Sequence, residues 1–361
     1  MSAAKTRILA FTAGLLLAAG QAGATGTAAN TSINNTASVD YTVGGVNQPD
    51  VNSNTTTFVT DRRILVTVAE VGGGYTDVAP GQTGQLLTFT VTNNTNAVMD
   101  FRLDATQQAT NAADPFGGTD DFDVTALQVF VDSNGNNTYD AGTDTAAFID
   151  ELAADGTVTV FVVANIPIGQ ANGNSAGVTL TAIAADSGGA GLGSDSTQTA
   201  GAESPNVVDT VFGDIAGDTD ANRDGRHSDT DAYRIQTATL SVTKTSTVIS
   251  DPFNNTTNPK RIPGAIVEYC VTVQNTGGAA ATAVVVTDVL TGQPVTYQAG
   301  SLFTVDTGAV CTGGDAEDDD AAGGDETDPN GAAQAAGTVS ATFATLPAAG
   351  GKSMRFRVQI N

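Results

Sequence analysis

Apolar and polar residues alternate one by one over much of this sequence. Two segments show the pattern most clearly, LLTFTVTN at 86–93 and VEYCVTVQN at 267–275, and each ends at a turn containing asparagine. Successive side chains of a β-strand point to opposite faces of its sheet, so this spacing predicts half-buried antiparallel strands. No long stretch has the 3.6-residue spacing of a helix, and the predicted fold class is all-β.

The strand pattern occurs twice along the chain. ELAADGTVTVFVVANIP, which ends at residue 167, resembles TLPAAGGKSMRFRVQIN, which ends at residue 361, with Phe161 corresponding to Phe356. The second copy is longer, and the acidic stretch 313–331 is its predicted insertion. Short strands repeated twice predict two immunoglobulin-like β-sandwich domains joined by a loop-rich linker. The predicted parts are a signal peptide at 1–24, an N-terminal strand segment at 25–61, a sandwich at 62–187, a linker at 188–237 and a sandwich at 238–361.

The first 24 residues have the order typical of a secretory signal peptide. Lys5 and Arg7 precede an apolar run, and Ala22-Gly23-Ala24 supplies small residues for cleavage after Ala24. A membrane anchor is the alternative, which the shortness of the run disfavours. No later segment is long and apolar enough for a transmembrane helix. We therefore expect a secreted protein, or one on the outer face of a Gram-negative cell.

The excess of acidic over basic residues disfavours some classes of binding partner. The sequence has 14 Lys and Arg against 39 Asp and Glu, a net charge of −25. Such a surface repels nucleic acids and anionic membranes and attracts cations. The two cysteines, Cys270 and Cys311, are expected to form one disulfide, as an even pair does in an exported chain.

A first candidate calcium loop lies in the stretch DTDANRDGRHSD, residues 218–229. Side-chain and carbonyl oxygens at alternate positions around a glycine match the spacing of a calcium loop. The predicted ligands are Asp220, Asn222, Asp224, the Arg226 carbonyl, Ser228 and Asp231. The alternative is a polar linker turn without metal.

A second candidate loop, DSNGNNTYDAGTD at 132–144, follows a predicted strand. Its predicted ligands are Asp132, Asn134, Asn136, the Thr138 carbonyl, Asp140 and Asp144. A metal-free β-hairpin turn is an equal alternative.

The third acidic region lacks alternating spacing, and we expect a solvated, mobile loop there. Its acidic residues are Asp315, Glu317, Asp318, Asp319, Asp320, Asp325, Glu326 and Asp328.

Catalytic motifs are missing from the sequence. The single histidine, His227, lies inside the first candidate loop, and no nucleophile elbow, zinc-binding helix motif or phosphate loop occurs. We therefore expect a non-enzymatic protein. A secreted hydrolase that uses paired carboxylates stays open, because such pairs have no sequence signature.

The second repeat also suggests a covalent bond between two of its strands. Lys244 and Asn361 lie on its first and last strands, with Asp288 between them in sequence. An amine, a carboxamide and a carboxylate brought together in an apolar core can form an isopeptide bond. The alternative is a surface lysine and a polar residue at the end of a strand.

The segments LSVTKTSTV, IPGAIVEYCVTVQNTGGAAATAVVVTDVL and VTYQAGSLFTV resemble the repeat called domain of unknown function eleven, over about residues 238–361. The resemblance implies an immunoglobulin-like fold in a bacterial surface protein, and no chemistry. The function expected is that of a cell-surface structural or adhesive protein, with an N-terminal segment that adds a strand to its own or a neighbouring sheet. Partners would be further copies or cell-surface proteins and glycans; a soluble glycan- or protein-binding module is the other alternative.

Overall fold

A computed structural model of the chain describes residues 26–320 and 330–361. The predicted signal peptide, and Asp325, Glu326 and Asp328 of the acidic stretch, lie outside the described residues. Within them all regular structure is β, and the predicted class, all-β with two immunoglobulin-like sandwiches, is confirmed. The described part contains no helix with the length and apolarity to cross a membrane.

The N-terminal segment forms a long two-stranded ribbon, here called the hairpin arm (residues 32–59). Its strands are β1 Ser32–Asn35, β2 Ser38–Val39, β3 Thr42–Val43, β4 Val46–Asn47, β5 Val51–Asn52 and β6 Thr56–Val59. They pair antiparallel as β1 with β6, β2 with β5 and β3 with β4. Gly44 and Gly45 turn the chain at the tip with φ of 59° and 83°. A two-residue hairpin turn needs positive φ at both positions, which glycine adopts without strain.

The first sandwich follows the arm. Its strands are β7 Arg62–Ile64, β8 Val66–Glu70, β9 Thr76–Val78, β10 Gln85–Asn93, β11 Met99–Gln107, β12 Thr125–Val131, β13 Phe148–Leu152, β14 Thr157–Asn165, β15 Ser175–Ala185, β16 Thr210–Phe212 and β17 Arg226–Ile235. One sheet has the order β12-β14-β10-β8, the other β13-β11-β15-β17-β9, and β7 pairs with β16. Phe89, Phe101 and Tyr233 are fully buried between them. Each sheet therefore buries one apolar face, as alternation requires.

The second sandwich repeats this plan. Its strands are β18 Leu240–Ser250, β19 Ile266–Asn275, β20 Ala281–Val289, β21 Val295–Tyr297, β22 Phe303–Val305, β23 Asp315–Ala316, β24 Gly331–Ala335, β25 Thr338–Leu346 and β26 Gly351–Ile360. The larger sheet has the order β18-β19-β26-β22-β23, with β21 also on β26, and β20-β25-β24 covers it. Phe343, Met354 and Phe356 lie in the core between the sheets.

The two copies share a buried asparagine corner at the end of equivalent strands. Asn93 ends β10 and donates through Nδ2 to the carbonyls of Ala97 and Leu152, both at 2.9 Å. Asn275 ends β19 and donates to Ala279 at 2.7 Å and Leu346 at 3.4 Å. Both side chains are fully buried. The predicted internal repeat therefore extends to individual hydrogen bonds.

The linker predicted at 188–237 needs correction. Residues 226–235 form β17, which pairs along nine residues with β15. Tyr233 and Ile235 of this strand are fully buried in the first core. The apolar tail AYRI at 232–235 completes a sheet, so the first sandwich continues to Ile235 and the connection to β18 is short.

The acidic stretch also differs from the mobile loop expected, over the part that is described. Glu317 is buried and accepts a hydrogen bond from Thr304 Oγ1 at 2.6 Å. Asp319 accepts hydrogen bonds from the Tyr297 hydroxyl and the Gly300 amide. Residues 315–320 are therefore folded against the second sandwich, because hydroxyl and amide donors take up the carboxylates.

Candidate functional site

The loop 132–144 joins β12 to β13 and is closed by two buried carboxylates. Asp132 accepts hydrogen bonds from the amides of Gly135 (2.8 Å) and Asn137 (2.8 Å). Asp144 accepts from the amides of Ser133 (2.9 Å) and Asp140 (2.7 Å). The first and last predicted ligands of this loop therefore lie at its centre.

Two asparagines complete the same loop. The side-chain amides of Asn134 and Asn136 donate to Asp140 Oδ2 at 3.0 and 2.7 Å. These hydrogen bonds lower the pKa of the Asp140 carboxyl. Thr138 donates its backbone amide to Asn136 Oδ1 at 2.8 Å. The structure thus brings together the side chains that the spacing pointed to.

The loop before β17 is organised around a carboxylate that the spacing did not pick out. Asp214 is buried and accepts hydrogen bonds from the amides of Asp224 (2.9 Å) and Gly225 (3.1 Å). Asn222 Oδ1 accepts from the Ala216 amide at 3.0 Å. Asp214 lies six residues before Asp220, so a twelve-residue pattern starting at Asp220 could not include it.

Of the predicted ligands in this loop, Asp220 and Ser228 meet directly. Ser228 Oγ donates to Asp220 Oδ1 at 2.8 Å. The other oxygen, Asp220 Oδ2, is buried and has no hydrogen-bond partner among the described residues. Asp220, Asp224 and Arg226 line one groove together with Asp104 of β11.

Asp231 is separated from this group by the geometry of its strand. Residues 228 and 231 differ by an odd number of positions, so their side chains point to opposite faces of β17. Asp231 is buried on the face of Tyr233, and its Oδ1 accepts the Ala232 amide at 2.6 Å. Burial, with the charges of Glu70 and Asp229 adding to it, raises the pKa of Asp231 to about 7. The closing ligand predicted for this loop therefore belongs to the interior of the sandwich.

The acidic side chains of the described residues do not by themselves form a calcium site. Across residues 26–320 and 330–361, no three His, Cys, Asp or Glu side chains are placed to hold one metal ion. Calcium also takes amide and backbone carbonyl oxygens, which both loops supply.

Buried aspartates hold several other loops of the first sandwich. Asp100 accepts the amides of Glu151 (2.8 Å) and Gly193 (3.0 Å). Asp114 accepts the hydroxyls of Tyr75 (2.8 Å) and Ser175 (2.6 Å). Part of the aspartate content therefore serves the fold, which composition alone does not reveal.

His227 lies on β17 beside the edge of the facing sheet. Its Nδ1 accepts the Val68 amide at 3.1 Å, and Asp229 Oδ2 accepts the Glu70 amide at 2.6 Å. Both amides belong to the edge strand β8, so side chains of β17 cover that edge. This is a structural role for the histidine.

The hairpin arm presents apolar side chains to solvent. The exposed ones are Ile33, Val39, Tyr41, Val43, Val46, Val51 and Phe58. Its base is fastened by backbone hydrogen bonds from Ala29 to Asn96 and from Val59 to Pro205, both 2.9 Å. The strand segment predicted to add to its own or a neighbouring sheet thus pairs with itself.

The second sandwich has an open edge at β18, which pairs with β19 alone among the described strands. Arg261 donates to the Ser246 carbonyl at 2.9 Å and covers one end of this edge. Toward the other end, Leu240 and Val242 are exposed, Val242 to 64%.

The predicted disulfide is present, whereas Lys244 and Asn361, the residues of the predicted isopeptide bond, do not meet. Cys270 and Cys311 form the predicted disulfide. Lys244 Nζ lies 2.5 Å from Asp288 Oδ2, but Asn361 Oδ1 accepts a hydrogen bond from Thr296 instead. Lys244 aligns through β19 with Met354, seven residues before Asn361 on β26. At about 3.3 Å per residue the two are over 20 Å apart, so this pair cannot react.

Comparisons with known proteins add little. No family model matches the sequence, and no curated protein does. The resemblance to domain of unknown function eleven is therefore not confirmed. Among solved structures, the C-terminal domain of the antigen I/II polypeptide BspA of Streptococcus agalactiae is 9% identical, covers 82% of this chain and 91% of its own, and has a TM-score of 0.31. A Corynebacterium diphtheriae protein described as membrane anchored is 11% identical, covers 90% and 58%, and has a TM-score of 0.19. TM-scores this low do not establish a common fold with these proteins, and the fold is assigned from the strand pairing itself.

Proposed function

We propose that this chain is an exported, non-enzymatic structural or adhesive protein of the cell surface, and that its hairpin arm joins one copy to the next. The Cys270–Cys311 disulfide supports export, because such bonds persist in oxidising compartments. The signal-like N-terminus and the acidic charge agree with it. The observation that carries the assembly proposal is the hairpin arm.

The hairpin arm is an unusual element for an isolated molecule. From Ser32 to Val43 it is twelve residues long, about 40 Å at 3.3 Å per residue. A two-stranded ribbon with no sheet or core against it is at best marginally stable in water. Its exposed valines and aromatics are the side chains that strand pairing buries. A second copy that covers the ribbon supplies the missing packing.

The open edge of β18 is the acceptor that we propose. Unpaired strand edges are templates for strand addition, and natural proteins usually block them. Donor and acceptor lie on different domains, so the contact is head-to-tail, and such contacts build open filaments unless they close into a ring.

This proposal is tested by sedimentation and electron microscopy of the mature protein at several concentrations. One variant joins Asn35 to Thr56 through an Asn-Gly turn, which removes residues 36–55 and keeps the base of the arm. Wild type is expected to form filaments or rings, and the shortened variant to stay monomeric.

The acceptor edge has its own matched pair of variants. Val242→Lys places a charge on β18, and Val285→Lys places one on a similarly exposed position of β20 in the other sheet. Val242→Lys is expected to weaken association at least about tenfold, which corresponds to about 1.4 kcal/mol, whereas Val285→Lys assembles like wild type. A wild type that stays monomeric at every concentration contradicts the proposal.

Calcium binding is a further part of the proposal. The supporting observations are the alternating spacing of oxygen-bearing side chains in both candidate loops, and the buried Asp220 Oδ2 that lacks a donor. In the second candidate loop, 132–144, the Asn134 and Asn136 side chains would turn their oxygens from backbone amides to the ion. Calcium would stiffen these loops without taking part in chemistry.

Thermal unfolding with and without calcium tests this part. With calcium at ten times its dissociation constant, each occupied site is expected to add about 1.4 kcal/mol to the stability of the folded state. Asp140→Ala and Asp220→Ala should each remove one site's share, whereas Asp77→Ala, at an exposed ion pair with Arg234, should leave the calcium response unchanged. Equal unfolding curves with calcium and with chelator would disprove calcium binding.

A further inference from the structure

A lysine occupies a core position of the second sandwich. Lys352 of β26 lies on the same face as Met354, Phe356 and Val358, and it is 7% exposed. Its Nζ is 5.4 Å from the centre of the Phe343 ring. Lysine is almost never buried in this way unless its amine is paired, so its partners need explanation.

Two partners meet the amine, and one of them is a carboxamide. Lys352 Nζ donates to Asn330 Oδ1 at 3.1 Å, and Asn330 is 2% exposed. The amine also pairs with Asp306 Oδ1. Asp306 Oδ1 is in turn 3.5 Å from Asn330 Nδ2. A single carboxylate oxygen thus touches both the attacking nitrogen and the nitrogen that would leave.

From this geometry we propose that Lys352 and Asn330 form an intramolecular isopeptide bond, with Asp306 as the proton carrier. Asp306 accepts a proton from the Lys352 ammonium, and the free amine attacks Asn330 Cγ. Asp306 passes this proton to Nδ2, the Cγ–Nδ2 bond breaks, and ammonia leaves. The new amide nitrogen gives its second surplus proton back to Asp306, which ends protonated. An amine and a primary amide give a secondary amide and ammonia, so no oxidant or co-reactant is needed. Close, fixed placement of the reacting groups is what such a reaction requires.

The position of the bond gives it a structural effect. Lys352 is on β26 in the larger sheet, and Asn330 directly precedes β24 in the three-stranded sheet. The bond therefore joins the two sheets of the sandwich. The disulfide between Cys270 and Cys311 instead joins β19 to the turn after β22. A second pair offers the comparison: Lys244 is 42% exposed, Asp288 is 10% exposed, and the described contacts of Lys244 include no carboxamide.

Intact-mass measurement of the reduced, denatured mature protein is the test. We expect a mass one ammonia below that of the sequence, and a branched tryptic peptide that contains both Lys352 and Asn330. Lys352→Met, Asn330→Ala and Asp306→Asn should each restore the full mass allowed by their sequences. Lys244→Met, the matched control, should keep the loss of ammonia.

Asn330 is followed by Gly331, so its side chain can also lose ammonia by closing onto the next backbone amide. The Lys352→Met variant separates the two reactions, because ring closure does not need the lysine. Retention of the loss in Lys352→Met overturns the proposal. So does a wild type at full mass, or one that has lost water, which would mean a bond to Asp306. The branched peptide from wild type decides even if a variant fails to fold, because ring closure onto Gly331 gives no branch.

Discussion

Replacement of both Cys270 and Cys311 by alanine is expected to lower the free energy of unfolding of the second sandwich by about 4 kcal/mol. The disulfide closes a loop with a sequence separation of 41. In the chain-entropy account, a loop of that length leaves the unfolded chain with far more conformations once it is cut. Cys270 is also 4% exposed, so its removal loses buried contacts as well. Denaturant unfolding followed by tyrosine fluorescence measures the change.

Val310→Ala is the control for the disulfide variant. Val310 precedes Cys311 and is 46% exposed, so its truncation should change stability by less than about 0.5 kcal/mol. Wild type unfolded in reductant should have the same free energy of unfolding as the double variant, apart from the contribution of the two sulfur atoms. Equal stability of double variant and wild type would show that the turn after β22 is already fixed without the covalent link.

Asp231→Asn is expected to stabilise the first sandwich above pH 7, by up to about 4 kcal/mol. The pKa of Asp231 is raised to about 7 from an ordinary 3.8, because the carboxylate is buried beside Glu70 and Asp229. The folded state therefore holds a proton that the unfolded state releases. The associated stability is complete below pH 4 and is lost as the pH rises to about 7. Asparagine carries no charge and can still accept the Ala232 amide.

Unfolding curves between pH 4 and 8 measure this difference. The wild type should lose stability toward pH 7, and the slope should be much smaller in Asp231→Asn. His227, Asp229 and Tyr233 share the face of Asp231, and Glu70 faces it from β8. Asp77→Asn, at an exposed ion pair, should follow the wild-type curve to within about 1 kcal/mol. Parallel curves for wild type and Asp231→Asn would contradict a buried, protonated carboxyl.

Alternation predicted the all-β class and several strands of this protein, although it missed β17. Tyr269 pairs directly with Phe356 across β19 and β26, as Leu87 pairs with Val162 across β10 and β14. The predicted correspondence of Phe161 with Phe356 is therefore wrong by one residue, because Phe161 pairs with Thr88 and lies on the face opposite Phe89. In β10 every second residue from Leu87 to Asn93 is buried, so local pattern and tertiary structure agree there, whereas β14 and β15 are buried at consecutive positions. The disulfide followed equally simply from an even count of cysteines.

The sequence could not show to which side of a strand each polar side chain points. The ligand spacing of a loop assumes that the chain curls around an ion, whereas residues 226–235 are extended, and Asp231 therefore points away from Ser228. Lys352 and Asn330 are 22 residues apart and meet through the packing of two sheets. Neither residue has a local signature. The polar pairs that a sandwich buries are set by long-range pairing, which a single sequence reveals poorly.

The asparagine corners at Asn93 and Asn275 explain how this architecture tolerates change between its copies. Each corner ties the end of one strand to the turn that begins the closing strand, so the hydrogen bonds are the same whatever chain lies between. The span from Asn93 to Leu152 is 59 residues, and that from Asn275 to Leu346 is 71. Evolution can therefore lengthen or exchange the intervening segment, as with the acidic insertion, while the corner keeps the frame in register. The corner is therefore a fixed connection between strands that both copies share and a segment that differs between them.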